Sequence, residues 1–547
     1  MFPPEAALSQ ESICLSLLTE VKKIDEGHKM KFIETVLLWL IFTGFPTLTL
    51  TSANGKPDFE SDYLKIKQNQ EKFERFFNEL PKGGELHSHI QGAVSPEDLL
   101  EIARGQSYWI DPESFTVTKS SENQSKSKNL LLDQVSSDPV LRGSVIEAWT
   151  VQNYKDAVPH VHFFNAFGKF KLITSEHKDK LLSVILKKSW QERVSYLELM
   201  MNPTTPEIKH LAKDAKNRCK VSVNQIADFL TCLDQNKITE EIPKLSKILT
   251  KKSAYAKSQL NYDFWDVSDH RGTSLRVVYQ IARLASPEVF LTHLYSAFLL
   301  ASHDHRVVGI NIVQPEYDFL AIQEYDRQMT FISELKKRFP GVGVALHAGE
   351  LTPKLSSVPS SRTHIRRAVL AGQADRIGHG VAVSSDPDPD SLLELLRSKK
   401  VLVEVNLSSN QFILGVDAKA HPLMTFLQKG IPVALSTDDA GILRTNMSQE
   451  FLKAATDYTL SYAQIKQMVI HSLDYSFSGR RSGGQTVHSD CLNAKKDKSK
   501  DGLRCQESIM KNPKSILKQR LQDQFRDFEN KWFGSQGSEG GLSPSGK

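Results

Sequence analysis

Cysteine is scarce in this sequence, with five residues in 547, and no Cys-x-x-Cys spacing occurs. The spacing therefore excludes a zinc ribbon or a related Cys-rich metal fold. Cys14 lies near the start, and the four later cysteines permit three disulfide pairings, between which sequence alone does not decide. Free thiols are an equal alternative; the four are Cys219, Cys232, Cys491 and Cys505.

A strong excess of one charge is also absent. The net charge is +5, from 69 basic and 64 acidic residues. Lysines cluster between residues 495 and 500, but no basic stripe interleaved with aromatic residues occurs. The pattern is typical of a solvated loop, so we expect no nucleic-acid partner.

Long hydrophobic runs are missing too. The one near the start, Val36 to Phe42, is far shorter than the roughly 20 residues that span a bilayer. Lys29 and Lys31 precede it and small residues follow up to Ala53, which is the layout of a secretory signal. We predict a true start at Met30, cleavage near Ala53 and export, secreted or periplasmic, without a stable membrane anchor. An uncleaved anchor and a buried helix are the alternatives.

What the sequence does contain is an alternation of short β-rich runs with amphipathic helical ones. Such alternation predicts βα units around a parallel sheet. Eight candidate strands favour the α/β class, in the form of a closed (β/α)8 TIM-type barrel. An open doubly wound sheet is the alternative, but the glycine-rich phosphate turn typical of that fold does not follow the first strand. The eight candidates are Gly84–His89, Ser195–Met201, Ser274–Ile281, Val307–Val313, Val342–His347, Asp375–Gly378, Val401–Asn406 and Pro432–Thr437.

The domain organisation follows from shifts in composition. We predict an N-terminal extension with the signal peptide over 1–53, an N-terminal helical segment over 54–83 and the barrel over 84–479. A polar insertion is expected near 105–154. Residues 480–547 are predicted to hold a low-complexity loop, a C-terminal helix near Ser515–Phe533 and a disordered tail.

Three His-x-His pairs occur, and only one stands where barrel chemistry is found. His87 and His89 end the first candidate strand and share one face of it. Catalytic groups of such barrels lie at the carboxyl ends of the strands. Three further strand ends there finish in ionisable residues, namely His347 with Glu350, His379, and Asp438 with Asp439. Imidazole and carboxylate groups converging at one face are typical ligands of a metal such as zinc.

The other two pairs are interpreted as structural. His160 and His162 stand in an aromatic-rich stretch that predicts a packed helical face. His303 and His305 lie in a polar turn that enters the fourth strand, which is the wrong end for catalysis.

These motifs resemble the adenosine deaminase family, and more closely its secreted, growth-factor-like branch. The residues that carry the resemblance are "ELHSHIQGAV", "LHAGE", "RIGHG" and "LSTDD", with "HFFNAFGKF" and "EVNLSSNQFILGV" for the branch. It runs from about Glu71 to Gly479. The family differs from cytosine-type deaminases, which use a Cys-rich zinc signature.

The resemblance implies a metallohydrolase that converts adenosine and 2′-deoxyadenosine to inosine-type products and ammonia. One zinc ion would be held by His87, His89, His347 and Asp438. Glu350 would protonate the purine ring, and His379 would orient the attacking water and help to deprotonate it. Contacts to substrate are expected from Asp439, Gln91, Gln314 and His89. The fourth candidate strand, 307–313, contains no lysine, which favours one metal over a lysine-bridged pair.

Two positions depart from the family pattern and leave the substrate open. Gln91 stands where an aspartate contacts the ribose, and Gln314 where a glycine contacts the purine. A 5′-substituted adenosine or free adenine is an alternative substrate. A non-catalytic extracellular signalling or binding role on the same barrel is an alternative function. For Ser408, Ser409 and Asn410, turn chemistry and ligand contact are both open. The branch also implies a possible homodimer.

Overall fold

The computed structural model describes residues 58–119, 129–154, 158–480 and 512–534. The chain divides into two units, 1–57 and 58–547, and every described residue lies in the second. The predicted signal segment, Met30, Cys14, Cys491, Cys505 and the C-terminal tail lie outside the described residues. Within the described part of the chain, no helix has the length and apolar character to cross a bilayer.

Strands are numbered here in chain order over the described residues. They are β1 Gly83–His89, β2 Trp109–Ile110, β3 Val117–Thr118, β4 Leu130–Leu131, β5 Val194–Met201, β6 Ser274–Ala282, β7 Val307–Val313, β8 Gly343–Ala348, β9 Arg376–His379, β10 Leu402–Val405 and β11 Val433–Leu435.

The α-helices of the same residues are numbered likewise. They are α1 Phe59–Lys67, α2 Gln70–Glu79, α3 Pro96–Ala103, α4 Leu132–Ser137, α5 Pro139–Trp149, α6 Pro159–Glu176, α7 Lys178–Gln191, α8 Pro206–Cys219, α9 Ile226–Gln235, α10 Ile242–Leu260, α11 Pro287–His303, α12 Phe319–Arg338, α13 His364–Leu370, α14 Pro389–Ser398, α15 Leu407–Leu414, α16 Leu423–Gln428, α17 Ala440–Leu443, α18 Met447–Asp457, α19 Tyr462–Asp474 and α20 Pro513–Phe533.

Eight parallel strands form a barrel in the order β1-β5-β6-β7-β8-β9-β10-β11. A parallel bridge between Ser88 and Asp438 joins the two ends of this sheet. The His89 amide donates to the Asp438 carbonyl over 3.1 Å, and the Asp438 amide donates to the His87 carbonyl over 3.0 Å. The closure therefore lies directly at the residues predicted to carry the chemistry.

The opposite end of the barrel is filled by one aromatic side chain. Phe477 is fully buried and packs with Met200, Val278 and other strand residues. A Cβ placed on Gly343 would lie 2.3 Å from the Phe477 ring, so only glycine admits the ring at that point. The floor of the barrel is closed, and access to the interior is from the carboxyl ends of the strands.

The eight predicted strands are confirmed, with ends that differ by at most two residues. The insertion after the first strand carries a small antiparallel sheet, in the order β3-β2-β4, with α4 and α5; its centre, 120–128, lies outside the described residues. The N-terminal helical segment predicted over 54–83 contains two helices, α1 and α2, because the Asn69 side chain accepts a hydrogen bond from the Lys72 amide and caps a new helix. One disulfide is present among the described residues, between Cys219 and Cys232, and it links the end of α8 to α9.

Candidate active site

Strand ends bring the predicted residues to one face of the barrel. His87 and His89 end β1, His347 lies near the end of β8, His379 ends β9, and Asp438 follows β11. His379 and Asp438 have φ of 69° and 62°. Residues other than glycine seldom adopt this left-handed backbone conformation, and such backbone strain is typical of functional sites.

The three histidines among the predicted metal ligands lie around the fourth ligand, Asp438. Its Oδ1 lies 3.4 Å from His87 Nε2 and 3.2 Å from His89 Nε2. The His347 ring centroid lies 4.5 Å from that of His87 and 5.2 Å from that of His89. His379 lies in the same cluster, because one ligand atom each from His87, His347, His379 and Asp438 falls within 4.8 Å of the others.

The electrostatics of this cluster suit a cation. Burial acts to lower the pKa of His87, but hydrogen bonds to Asp438 and Glu404 and the charges of these carboxylates outweigh it and raise that pKa to about 9. Burial acts to raise the pKa of Asp438, yet contacts with His87 and His89 bring it well below its usual range. The Asp438 carboxylate is therefore ionised, and the set of imidazole and carboxylate donors fits a divalent metal ion.

Hydrogen bonds at Nδ1 orient the three predicted histidine ligands. His87 Nδ1 lies 2.7 Å from Glu404 Oε2, His89 Nδ1 lies 3.1 Å from Gln280 Oε1, and His347 Nδ1 lies 2.9 Å from Asn311 Oδ1. Each contact is to an oxygen, so each Nδ1 donates, and Nε2 is the nitrogen left to bind a metal ion. Such contacts fix the tautomer that a metal-binding histidine needs.

Glu404 also belongs to a buried array of charges inside the barrel. Its Oε1 accepts from Arg376 Nε over 2.6 Å, and Arg376 Nη2 donates to Glu198 Oε2 over 2.6 Å. The Arg376 guanidinium lies 3.7 Å from the centroid of the Phe477 ring. The array connects the orientation of His87 to the packed floor of the barrel.

Glu350 is held at the cluster by its backbone. The amides of Gly349 and Glu350 donate to the two carboxylate oxygens of Glu316, over 3.1 and 3.0 Å. Glu350 Oε1 lies 3.8 Å from His379 Nε2. Burial, followed by the negative charges of Asp438 and Glu316, raises the pKa of Glu350 well above its usual value. The surroundings therefore favour the protonated form of the Glu350 carboxyl.

Asp439 is a second buried acid whose surroundings favour its protonated form. Burial and then the charge of Asp438 raise its pKa well above the usual value. Its Oδ1 has no hydrogen-bond partner among the described residues. Its position depends on Gly92, because a Cβ there would lie 1.9 Å from Asp439 Oδ1.

A cavity of about 460 Å³ opens above these groups, a volume that suits a small organic molecule. Strand ends form its floor and helix α6 forms one wall. The predicted substrate residues all line it. The α6 residues that face it are Phe163, Phe164, Phe167, Gly168, Lys171 and Thr174.

The two glutamines that depart from the family pattern are both held by neighbours. Gln91 Oε1 accepts from Gln280 Nε2 over 3.2 Å. Gln314, with φ of 87°, accepts from the Leu284 amide over 3.1 Å. Both side chains line the cavity, which is where the sequence placed them.

The remaining histidine pairs lie outside the cluster. His162 Nε2 lies 2.7 Å from the Thr150 carbonyl, and the His160 ring packs against Tyr317. His303 ends α11 and His305 precedes β7, at the end of the barrel away from the cavity. Their structural interpretation fits these positions.

Sequence reasoning missed several residues of the site. The aromatic stretch on α6 was assigned to packing alone, yet three of its phenylalanines line the cavity. Ser409 and Asn410 were named, with turn chemistry and ligand contact both open, and the structure shows that they contact site residues. Ser409 Oγ donates to Asp438 Oδ2 over 2.7 Å, and Asn410 contacts His379 over 2.8 Å. Glu404 and Gln280 were not named, although a charged residue inside an apolar strand such as "VLVEV" is a signal of a buried pair.

Comparison with known proteins identifies similar deaminases. The adenosine deaminase family model matches residues 264–483. An adenosine deaminase of Enterococcus faecalis is 32% identical over 180 residues, which are 32% of this chain and 48% of that protein. One from Escherichia coli O1:K1 is 35% identical over 183 residues, which are 33% and 49%. The chain spans about half the length of the curated relatives that it matches.

The solved structures to which this one is similar include deaminases. The N6-methyl-AMP deaminase of Arabidopsis thaliana has a TM-score of 0.46 at 19% identity and covers 74% of this chain and 94% of that one. The adenine deaminase of Arthrobacter aurescens has a TM-score of 0.47 at 18% identity, with coverage of 73% and 94%.

Proposed function

Because the chain belongs to the adenosine deaminase family, we propose that it hydrolyses the C6 amine of adenosine and 2′-deoxyadenosine, giving inosine-type products and ammonia. The observation that carries this proposal is Glu350, a buried acid beside the cluster of predicted metal ligands, where its pKa is raised. An adenine ring resists attack at C6 unless N1 takes up a proton as that carbon becomes tetrahedral. A protonated Glu350 supplies that proton.

The site residues divide the work around the ring. His87, His89, His347 and Asp438 would hold one zinc ion, which supplies water activation at neutral pH. The pKa of Asp439 is raised and its Oδ1 is unpartnered among the described residues, so in its protonated form it donates a hydrogen bond to an acceptor such as N7 of the purine. His379, whose Nε2 lies 3.8 Å from Glu350 Oε1, would orient the attacking water. The α6 phenylalanines exclude bulk water from the ring.

Glu350→Gln tests the proposal. The amide keeps the size and contacts of the side chain but has no acid proton, so kcat for adenosine falls by about 10²–10⁴-fold. Zinc content stays at one ion per chain. Ammonia release is the assay, and Glu334→Gln, on the exposed face of α12, is the matched control with unchanged activity. Activity of Glu350→Gln within threefold of the wild type would refute the proton-donor role.

A 5′-substituted adenosine is the second candidate substrate, and Lys171 favours it. This exposed lysine on α6 lines the cavity, where its ammonium suits an anionic group on the sugar. Purified protein assayed against adenosine, deoxyadenosine, methylthioadenosine, AMP and adenine separates the candidates. Loss of AMP turnover in Lys171→Met, with adenosine turnover retained, would support the nucleotide.

We further propose export after cleavage near Ala53 and assembly as a homodimer. The apolar run with its basic flank supports the first, and the resemblance to the secreted branch supports both. N-terminal sequencing of protein from the culture medium or periplasm tests the first, and sedimentation tests the second. A mature chain that retains residues 30–53, or a monomer at micromolar concentration, would contradict the respective proposal.

A further inference from the structure

The hydrogen bond at Nδ1 separates His379 from the other three histidines of the cluster. In those three, Nδ1 faces an oxygen and donates. His379 Nδ1 instead lies 2.8 Å from the amide nitrogen of Asn410, with the amide nitrogen of Asn406 at 3.4 Å. An amide nitrogen only donates, so His379 Nδ1 accepts and carries no proton.

The direction of this hydrogen bond is fixed from the backbone. The Leu423 amide donates to His421 Nδ1 over 3.2 Å, and a backbone N–H cannot be reversed. Burial, followed by the charge of Lys453, lowers the pKa of His421 to about 4, so this ring is neutral and its proton is on Nε2. That Nε2–H donates to Asn410 Oδ1 over 3.1 Å. The other end of the Asn410 amide, its NH2 group, is thereby directed at His379.

We propose that His421 and Asn410 are positioning residues that hold His379 as the Nε2–H tautomer, so that His379 faces the substrate as a hydrogen-bond donor and is not a metal ligand. The first part of this inference, donation toward the substrate, rests on the proposed function. His379 Nε2 is buried without a hydrogen-bond partner among the described residues, and Glu350 Oε1 at 3.8 Å is too distant to accept.

The tautomer changes what His379 does in the reaction. A neutral ring that accepts at Nδ1 and carries hydrogen on Nε2 has no lone pair directed at the cavity. It cannot take a proton from the attacking water, which is the second role that the family resemblance gives it. It donates to an oxygen lone pair and so orients the nucleophile.

Nitrogen chemical shifts test the tautomer without any turnover. Protein labelled with 15N histidine is measured by long-range 1H–15N correlation, zinc-loaded and metal-free, with His379 assigned by its absence in His379→Gln. We expect a protonated Nε2 in the wild type. Asn410→Asp presents only acceptors to Nδ1 and inverts the tautomer; should it fail to fold, His421→Leu releases Asn410 and gives a mixture of both. A protonated Nδ1 in the wild type, or one tautomer throughout, would overturn the inference.

Metal content and kinetics give the second readout. We expect His379→Gln to retain one zinc ion per chain, whereas His347→Gln loses it. Asn410→Asp lowers kcat by about 10²–10³-fold, as removal of one preorganised donor does, with KM within threefold. His471→Gln, a half-buried histidine of α19 outside the site, is the control with unchanged kcat.

Equal zinc loss in His379→Gln and His347→Gln, or unchanged kcat in Asn410→Asp, would contradict the inference. A wild type that deaminates no purine compound refutes the proposed function and with it the role toward substrate. The chemical shifts and the zinc content still decide the tautomer and the exclusion of His379 from the metal.

Discussion

Glu404→Gln tests whether the buried charges beneath the cluster support the metal site. The wild-type carboxylate accepts from Arg376 through one oxygen and from His87 through the other. Although burial acts to raise the pKa of Glu404, the charge of Arg376 and then the hydrogen bond from His87 lower it, so the group is ionised. A glutamine amide has one oxygen and one NH2. In either orientation it therefore turns a donor toward a donor.

The size of the effect follows from these contacts. Breaking a buried charge pair by removing one partner costs about 3–5 kcal/mol. Because Arg376 keeps its contact with Glu198, we expect the free energy of unfolding to fall by about 3 kcal/mol, the lower end of that range. His87 also loses the acceptor that sets its tautomer, so zinc affinity falls by about 10–100-fold.

Urea unfolding of the metal-free protein measures the first effect, and competition with a chelator measures the second. Glu394→Gln, which breaks an exposed ion pair with Arg397 on α14, is the control and leaves both unchanged. The reasoning would be refuted if Glu404→Gln had the zinc affinity of the wild type and a free energy of unfolding within about 1 kcal/mol of it. That difference is small beside the roughly 3–5 kcal/mol of a broken buried pair.

The remaining predictions concern space and pH. A Cβ on Gly168 meets no atom within 4 Å and faces the cavity, so we expect Gly168→Leu to raise KM for adenosine at least tenfold without loss of Tm. The control is Gly143→Leu on α5, which is equally open and leaves KM unchanged. Equal KM values for the two variants would mean that substrate does not use this space. Gly92→Ala displaces Asp439 and raises KM with zinc retained; an unchanged KM would remove Asp439 from substrate binding. Burial, followed by the charge of Lys209, lowers the pKa of His293 to about 4. The native state thus binds fewer protons than the unfolded state between pH 4 and 6.5. As pH falls through this window, the wild type loses about 3 kcal/mol more stability than His293→Leu, measured by urea unfolding. Parallel curves of unfolding free energy against pH for the two proteins would contradict the shift.

The barrel was predictable from the sequence because its signals are local. Each strand is a short apolar run, and the runs recur with helical segments between them, as in "VALHAGE" and "RIGHG". The strand ends then identify the catalytic face, because parallel strands of a barrel all finish at the same face. The candidate residues, among them the predicted metal ligands and Glu350, follow from that single rule, whereas their individual roles rest on the family resemblance.

The supporting contacts were not predictable, because they join residues far apart in the chain. Glu404 meets His87 across 317 positions, and Gln280 meets His89 across 191. No periodicity or spacing encodes such a contact. Helix α6 was assigned to packing for a related reason, because an aromatic stripe at helical spacing looks the same whether it covers a core or a substrate cavity. The break at Asn69 was missed because a capping asparagine inside an amphipathic run interrupts the helix without changing its apolar pattern.

The central claim is that His87, His89, His347 and Asp438 together bind one divalent ion. Anomalous diffraction at the zinc absorption edge, from crystals of zinc-loaded protein, tests it most directly. The account predicts one strong peak per chain, in contact with those four side chains and not with His379 Nε2. A peak at other residues, a second peak of equal height in the barrel, or no peak at this cluster would contradict it.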